Sequence, residues 1–121
     1  MFDNLDSLVV KIDVQESEVL IAAKLPGFKR EEIEVEILDK ALRIAAKRRV
    51  EVEKKTEIHY HLERDEKYME RIIPYPTDVK EQDMKAAYKD GILTIQIPKR
   101  KAGEVKRPEV KRHVRRFVTV E

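Results

Sequence analysis

The sequence predicts an all-β protein folded as an antiparallel β-sandwich. Three observations carry that expectation. Apolar and polar residues alternate at period 2 in most segments, and no segment keeps a 3.6-residue period long enough for an α/β alternative. About eight such segments recur at roughly 8–12-residue spacing, bounded by turn signals. The length, 121 residues at 14.3 kDa, gives room for one ordinary domain.

Val10, Ile12 and Val14 alternate with Lys11 and Asp13. After the polar break Gln15-Glu16-Ser17-Glu18, the residues Val19, Ile21, Ala23 and Leu25 make the second half of a hairpin-like pair. Pro26-Gly27 punctuates the chain, and Lys29-Arg30-Glu31 suits one short helical turn. The cleanest alternation is Glu32-Ile33-Glu34-Val35-Glu36-Ile37, with three acids expected on a solvated face and three branched aliphatics on the other. Asp39-Lys40 turns the chain, and Ala41–Ala45 returns as a strand. Residues 47–57 are dense in charge and poor in core candidates, so they read as a long exposed loop; loops of that length usually serve function or interaction. They lead into Ile58-His59-Tyr60-His61-Leu62, which fits a short edge or exchanged strand. Tyr68–Ile73 reads as a strand ended by Pro74 and Pro76. Met84–Tyr88, Asp90-Gly91 and Ile92–Ile97 form a strand, a hairpin turn and a strand, closed by Pro98.

Composition removes several classes. Asp, Glu, Lys and Arg make up 41% of the chain, against about a quarter on average. A further 41% is hydrophobic, too much for a disordered chain. The longest apolar run, Val19-Leu20-Ile21-Ala22-Ala23, is far short of the ~20 residues of a membrane span. Met1-Phe2-Asp3-Asn4 has neither the basic nor the apolar region of a secretory signal. Without Cys there is no disulfide, thiol nucleophile or zinc–thiolate site. Many charges with few Asn and Gln match a heat-adapted cytosolic protein, so a cytoplasmic location is expected.

The net charge of +2 divides into a +6 extension from Lys99 onward and a −4 body over residues 1–98. A basic tail raises nucleic acid as a partner. It lacks aromatics between its basic residues for base stacking, however, and a solvated extension is the simpler reading.

Candidate chemistry is sparse. His59 and His61, at i and i+2 on a strand, would point to one face and could begin a metal site, but only Glu57 or Glu63 offers a further ligand nearby. Exposed strand residues are the simpler reading, and the same holds for His113. Gly27, Gly91 and Gly103 are far apart, and no phosphate loop exists. Ser7 and Ser17 have no elbow motif around them and no His near in sequence. Nothing singles out one of the many carboxylates for the apolar environment a catalytic acid needs. No enzyme activity, cofactor or metal is expected.

Four segments carry a resemblance. Ala86-Ala87-Tyr88-Lys89-Asp90-Gly91-Ile92-Leu93 matches the A-x-x-x-n-G-v-L signature of the α-crystallin domain. Leu25-Pro26-Gly27-Phe28 followed by Glu31-Glu32-Ile33-Glu34-Val35 is similar to that domain's L-P-G segment and the acidic strand after it. His61-Leu62-Glu63-Arg64 resembles its His…Glu-Arg stretch, and Arg71, five residues before Pro76, stands where the domain has an arginine before proline. Occurring in family order over some ninety residues, they make the chain resemble the small heat-shock proteins, in the archaeal/bacterial type with a minimal N-terminal arm.

The resemblance implies an immunoglobulin-like sandwich with a long loop carrying an exchanged strand. It implies an arm over 1–7, an α-crystallin domain over 8–98 and a basic extension over 99–121. It implies an ATP-independent holdase whose partners are non-native client proteins and further copies of itself, as a homodimer and through larger homo-oligomers. Ile58, His59, Tyr60, His61 and Leu62 would be the exchanged strand, and Arg64 and Arg71 would form dimer ion pairs. Val118-Thr119-Val120 resembles the family's I-x-I tail motif, with Val118 and Val120 pointing the same way. Its groove on a neighbouring subunit would be lined by Val35, Ile37, Met84 and Ala86. Two departures stand out. Lys67 occupies a position that is commonly Gly, which implies a different turn after the exchanged strand. Only about seven residues precede the first strand, with Phe2, Leu5 and Leu8 as their apolar content, which weakens the case for strong client holding and large cages. The chain is then a minimal member or a domain excised from a longer one. A CS/p23-type co-chaperone or scaffold module, monomeric and without the exchanged strand, and a basic-tailed nucleic-acid binder are the alternatives.

Overall fold

A computed structural model describes residues 8–55, 60–101 and 114–121, giving only the backbone course over those of residues 49–66 that it includes. Eight strands run in chain order: β1 (Val9–Val14), β2 (Glu18–Lys24), β3 (Ile33–Leu38), β4 (Ala41–Lys55), β5 (Tyr60–Pro74), β6 (Lys85–Lys89), β7 (Ile92–Pro98) and β8 (Arg116–Val118). They form two four-stranded sheets, in the orders β1-β2-β7-β6 and β5-β4-β3-β8, and the paired strands are antiparallel. The expected all-β sandwich is present.

Alternation builds the core. Val19, Ile21 and Ala23 of β2 face the same way as Ile97, Ile95 and Leu93, their partners on β7, and all six are fully buried. From the other sheet Val35, Leu42 and Ile44 meet them, and Phe28, Met69, Ile73 and Val79 join the same cluster. Truncating a fully buried aliphatic of this kind to Ala costs about 2–5 kcal/mol. The Asp90-Gly91 hairpin has positive φ at both positions, 53° and 78°. A two-residue loop that follows the right-handed strand twist needs this, and Gly supplies it without strain.

The segments that carried the resemblance hold one another. The Leu25 amide donates to the Gly91 carbonyl (2.8 Å). The Tyr88 hydroxyl lies 2.6 Å from the Leu25 carbonyl and 3.0 Å from that of Phe28. Arg48 Nη1 donates to the Gly27 carbonyl (2.8 Å). The motif residues thus close the turn at Pro26-Gly27 against β6 and β7.

Three sequence expectations change. The loop expected over 47–57 is strand as far as Lys55, pairing with β5 from Lys47↔Tyr68 to Lys55↔Tyr60. Its cross-strand register sets Arg49 opposite Glu66 and Glu51 opposite Arg64, and opposite charges at facing positions favour strand pairing. The strands expected at 58–62 and 68–73 are one strand from Tyr60 onward, so no turn occurs at Lys67. The acids of β3 do not all share a solvated face, because Glu36 is only 5% exposed.

Candidate interaction groove and strand edge

The two sheets leave two open sides. On one, the edge strands β3 and β6 flank a groove, and the chain's own residues 116–121 lie in it. β8 pairs antiparallel with β3, placing Val118 opposite Val35 and Arg116 opposite Ile37. Beyond it the direction suits β6: Val120 bridges Ala86 in parallel, the Glu121 amide donates to the Ala86 carbonyl (3.0 Å) and the Tyr88 amide to the Glu121 carbonyl (2.8 Å). Val118 and Val120 are half-buried against the core. Concavities of about 530 and 390 Å³ remain open beside the segment, and Val118 borders both.

Charges line the outer flank of this groove. The hairpin turn at Asp39-Lys40 sets Arg43 of β4 directly opposite Glu36. The Arg43 guanidinium donates through Nη1 to Glu34 and to Glu36 (3.2 Å), and through Nε to Glu70 (2.6 Å). Tyr68 donates its hydroxyl to the same Glu70 carboxylate (2.8 Å). From the tail, Arg115 grips Glu36 with both arms of its fork, Nε to Oε2 at 2.8 Å and Nη2 to Oε1 at 2.9 Å. Its guanidinium packs over the Phe117 ring, 4.9 Å from the centroid. Arg116 reaches Glu81, on the turn before β6, at 3.3 Å.

These contacts set the ionisation. The Arg115 hydrogen bond, aided by the charges of Arg115 and Arg43, holds the Glu36 carboxyl below the usual carboxylate range despite its burial. Arg43, aided by Tyr68, lowers Glu70. The carboxylates raise both guanidinium groups, so Glu36, Glu70, Arg43 and Arg115 are charged near neutrality.

On the opposite side, β1 is the edge strand of its sheet. Ile12 and Val14 share the inward face with their β2 partners Ile21 and Val19, yet they are 41% and 48% exposed. Arg71 of β5 reaches over to this edge, its Nη1 donating to the Leu8 carbonyl (3.2 Å).

The profile of the Hsp20/alpha crystallin family matches residues 11–115, nearly the whole sandwich and part of the extension. The chain belongs to the Hsp20/alpha crystallin family. It is 43% identical over 90 residues to an 18.2 kDa class I heat shock protein of Medicago sativa, covering 74% of this chain and 55% of that one. It is 39% identical over 90 residues to an 18.5 kDa class I heat shock protein of Glycine max, covering 74% and 54%. The chain therefore spans little more than half the length of these curated relatives. Among solved structures, a small heat-shock protein of Xylella fastidiosa superposes with a TM-score of 0.63 at 28% identity, covering 87% of this chain and 96% of that one. Heat shock protein 16.0 of Schizosaccharomyces pombe superposes with a TM-score of 0.62 at 23% identity, covering 87% and 76%, a likeness of fold.

Within this Hsp20 chain the expected groove residues come together. Val35, Ile37, Met84 and Ala86 surround Val118 and Val120, and the segment seated there belongs to the same chain. Of the exchanged strand, Ile58 and His59 lie outside the described residues. Tyr60, His61 and Leu62 pair with Lys55, Lys54 and Glu53 of their own chain. The Arg64 backbone stands opposite Glu51, and its side chain lies outside the described residues. Arg71 sits at the β1 edge. Among the described residues no group of His, Asp or Glu is arranged to hold a metal ion, and no helix is long and apolar enough to cross a membrane.

Sequence reasoning did not single out Glu36, Arg43, Arg115, Glu81 or Arg116. Counting back from the two-residue turn would have found one pair, because Leu38↔Ala41 forces Glu36↔Arg43. Nothing local announces the pairing of Glu36 with Arg115, 79 residues away.

Proposed function

We propose that this chain acts as an ATP-independent holdase in the cytoplasm, capturing partly unfolded proteins on apolar strand edges and so preventing their aggregation. The observation that carries the proposal is edge strand β1, where Ile12 and Val14 face inward but stay uncovered. Unpaired backbone groups beside apolar side chains are the template that an extended, unfolded segment completes. The building block is a homodimer in which residues 58–62 pair with the partner's β1, so a client reaches that edge when the pairing opens. Arg71, already at that edge, and Arg64 supply ion pairs across the interface. Tail docking between copies extends dimers into larger assemblies.

The test is light scattering of a heat-labile client enzyme with this chain at rising subunit ratios. Suppressed scattering near equimolar subunits supports the holdase; aggregation just as fast at every ratio overturns it. Removing residues 50–62 abolishes the dimer in sedimentation, and a dimer that survives the deletion places the interface elsewhere.

One observation favours a second reading, a monomeric co-chaperone or scaffold of CS/p23 type. β5 pairs with β4 of its own chain along its whole length, and the groove holds the chain's own tail. Sedimentation of the intact chain as monomer alone supports it.

A further inference from the structure

The tail carries more than the apolar pair. Arg115 precedes Val118 by three residues, just before β8, and its guanidinium lies over the Phe117 ring, on the side opposite the one Val118 presents to the core. There it meets Glu36, the one buried charged residue among those described. Glu36 divides its oxygens unequally. Oε1 accepts from Arg43 and from Arg115, whereas Oε2 accepts from Arg115.

We propose that Glu36 makes the groove selective for an extended segment with an arginine three residues before an apolar-x-apolar pair, and that its occupant is the Arg115–Val120 segment of this protein. The physical ground is desolvation. A strand laid along β3 covers Glu36 whatever its sequence. A segment with arginine at the right place answers the covered carboxylate with two charge-assisted bonds. A purely apolar segment, such as a stretch of an unfolded client, would cover Oε2 and bring no donor to it, leaving Arg43 as the carboxylate's one donor, and a buried acceptor left unsatisfied is disfavoured. Arg43, directly opposite on β4, holds Glu36 through Oε1 independently of the tail, so the carboxylate is oriented before the tail arrives. The Phe117 ring under the Arg115 guanidinium limits its freedom and lowers the ordering cost of the contact. Arg116 on Glu81 adds a second basic–acidic contact on the β6 side. The groove is thus reserved for the tail, while unfolded segments are left to the β1 edge. This division of labour rests on the holdase reading; the Arg115–Glu36 selectivity itself does not require it.

The experiment is a double-mutant cycle in the full-length chain, read by amide hydrogen exchange. The Tyr88 and Glu121 amides report docking because their acceptors lie across the tail contact, and the Ile95 amide in the core reports folding. Arg115→Gln should speed exchange at Tyr88 and Glu121 roughly tenfold, with Ile95 unchanged. In the Glu36→Gln background the same substitution should change it less than about threefold. Arg115→Lys, which keeps the charge without the fork, should fall between, and it decides the matter should Glu36→Gln disturb Ile95. An unchanged rate in Arg115→Gln, or an equal effect in both Glu36 backgrounds, overturns the proposal. Selectivity is read in trans by titrating the Arg115→Gln chain with labelled peptides of residues 114–121, with and without the arginine. The chain's own weakened tail competes equally with both, so a ratio of tenfold or more supports selectivity and a ratio near one overturns it. No client or dimer enters these measurements, so failure of the holdase assay leaves them standing, and the converse also holds.

Discussion

The tail contact can be weakened without touching its charges. Val118 and Val120 are half-buried, one beside Val35 and one bridged to Ala86. Changing both to Ala removes four methyl groups. At about 0.8 kcal/mol for each fully buried group, halved for half-burial, the loss is about 1.6 kcal/mol. No cavity penalty adds to this, because the docked face already borders open concavities. A loss of that size is a little more than tenfold in the docked-to-free ratio. The Val118→Ala/Val120→Ala chain should therefore exchange its Tyr88 and Glu121 amides about ten to twenty times faster than the parent, with the Ile95 amide unmoved. Where larger assemblies form through this contact, native mass measurement should show them shifting toward dimers. The reverse change has room to work: Val118→Ile adds a methylene beside open volume and should slow the same two amides. Unchanged exchange in the double-alanine chain would refute the reasoning, since the apolar pair would then contribute nothing to seating the tail.

Other outcomes follow from the same geometry. Because the folded carboxyl of Glu36 is held below its unfolded value, its contribution is fully present above about pH 4.3 and is lost as the pH falls through the lower folded value. Exchange at the Glu121 amide, corrected for intrinsic rate, should be flat between about pH 5 and 8 and rise only below about pH 4; a step near neutrality would contradict the Arg115–Glu36 contact. Ile12→Lys with Val14→Lys should lower the thermal midpoint only modestly, because both side chains are about half exposed, while weakening self-association and client protection; full protection by this variant would remove β1 from the client surface. Tyr88→Phe takes the hydroxyl from the Leu25 and Phe28 carbonyls and should cost about 1–2 kcal/mol in urea unfolding. A cost below about 0.3 kcal/mol would mean those carbonyls find water instead.

Much of the molecule is legible without coordinates because strand alternation is a local property. Ile33, Val35 and Ile37 announce the inward face of β3, and Asp90-Gly91 announces its hairpin, since each depends on a few adjacent residues. Val118 and Val120 stand out as a spaced apolar pair after a charged stretch, and the resemblance directed them to Val35, Ile37, Met84 and Ala86. The extension of β4 through Lys47–Lys55 is not legible in this way. Its alternation is reduced to Val50 and Val52 among charged residues, and the strand is recognised from its register against β5, which sets Arg49 opposite Glu66 and Glu51 opposite Arg64.

The sequence by itself determined the sandwich, its turns, the apolar pair at the end of the chain and the absence of catalytic motifs, because side-chain period and turn chemistry act over a few residues. The tertiary structure alone decided that Glu36 is buried rather than solvated, that Arg43 and Arg115 share it, and that the tail closes over its own chain's groove. Burial and ion pairing depend on which surfaces meet. Those meetings join residues far apart in the chain, where no local pattern reaches.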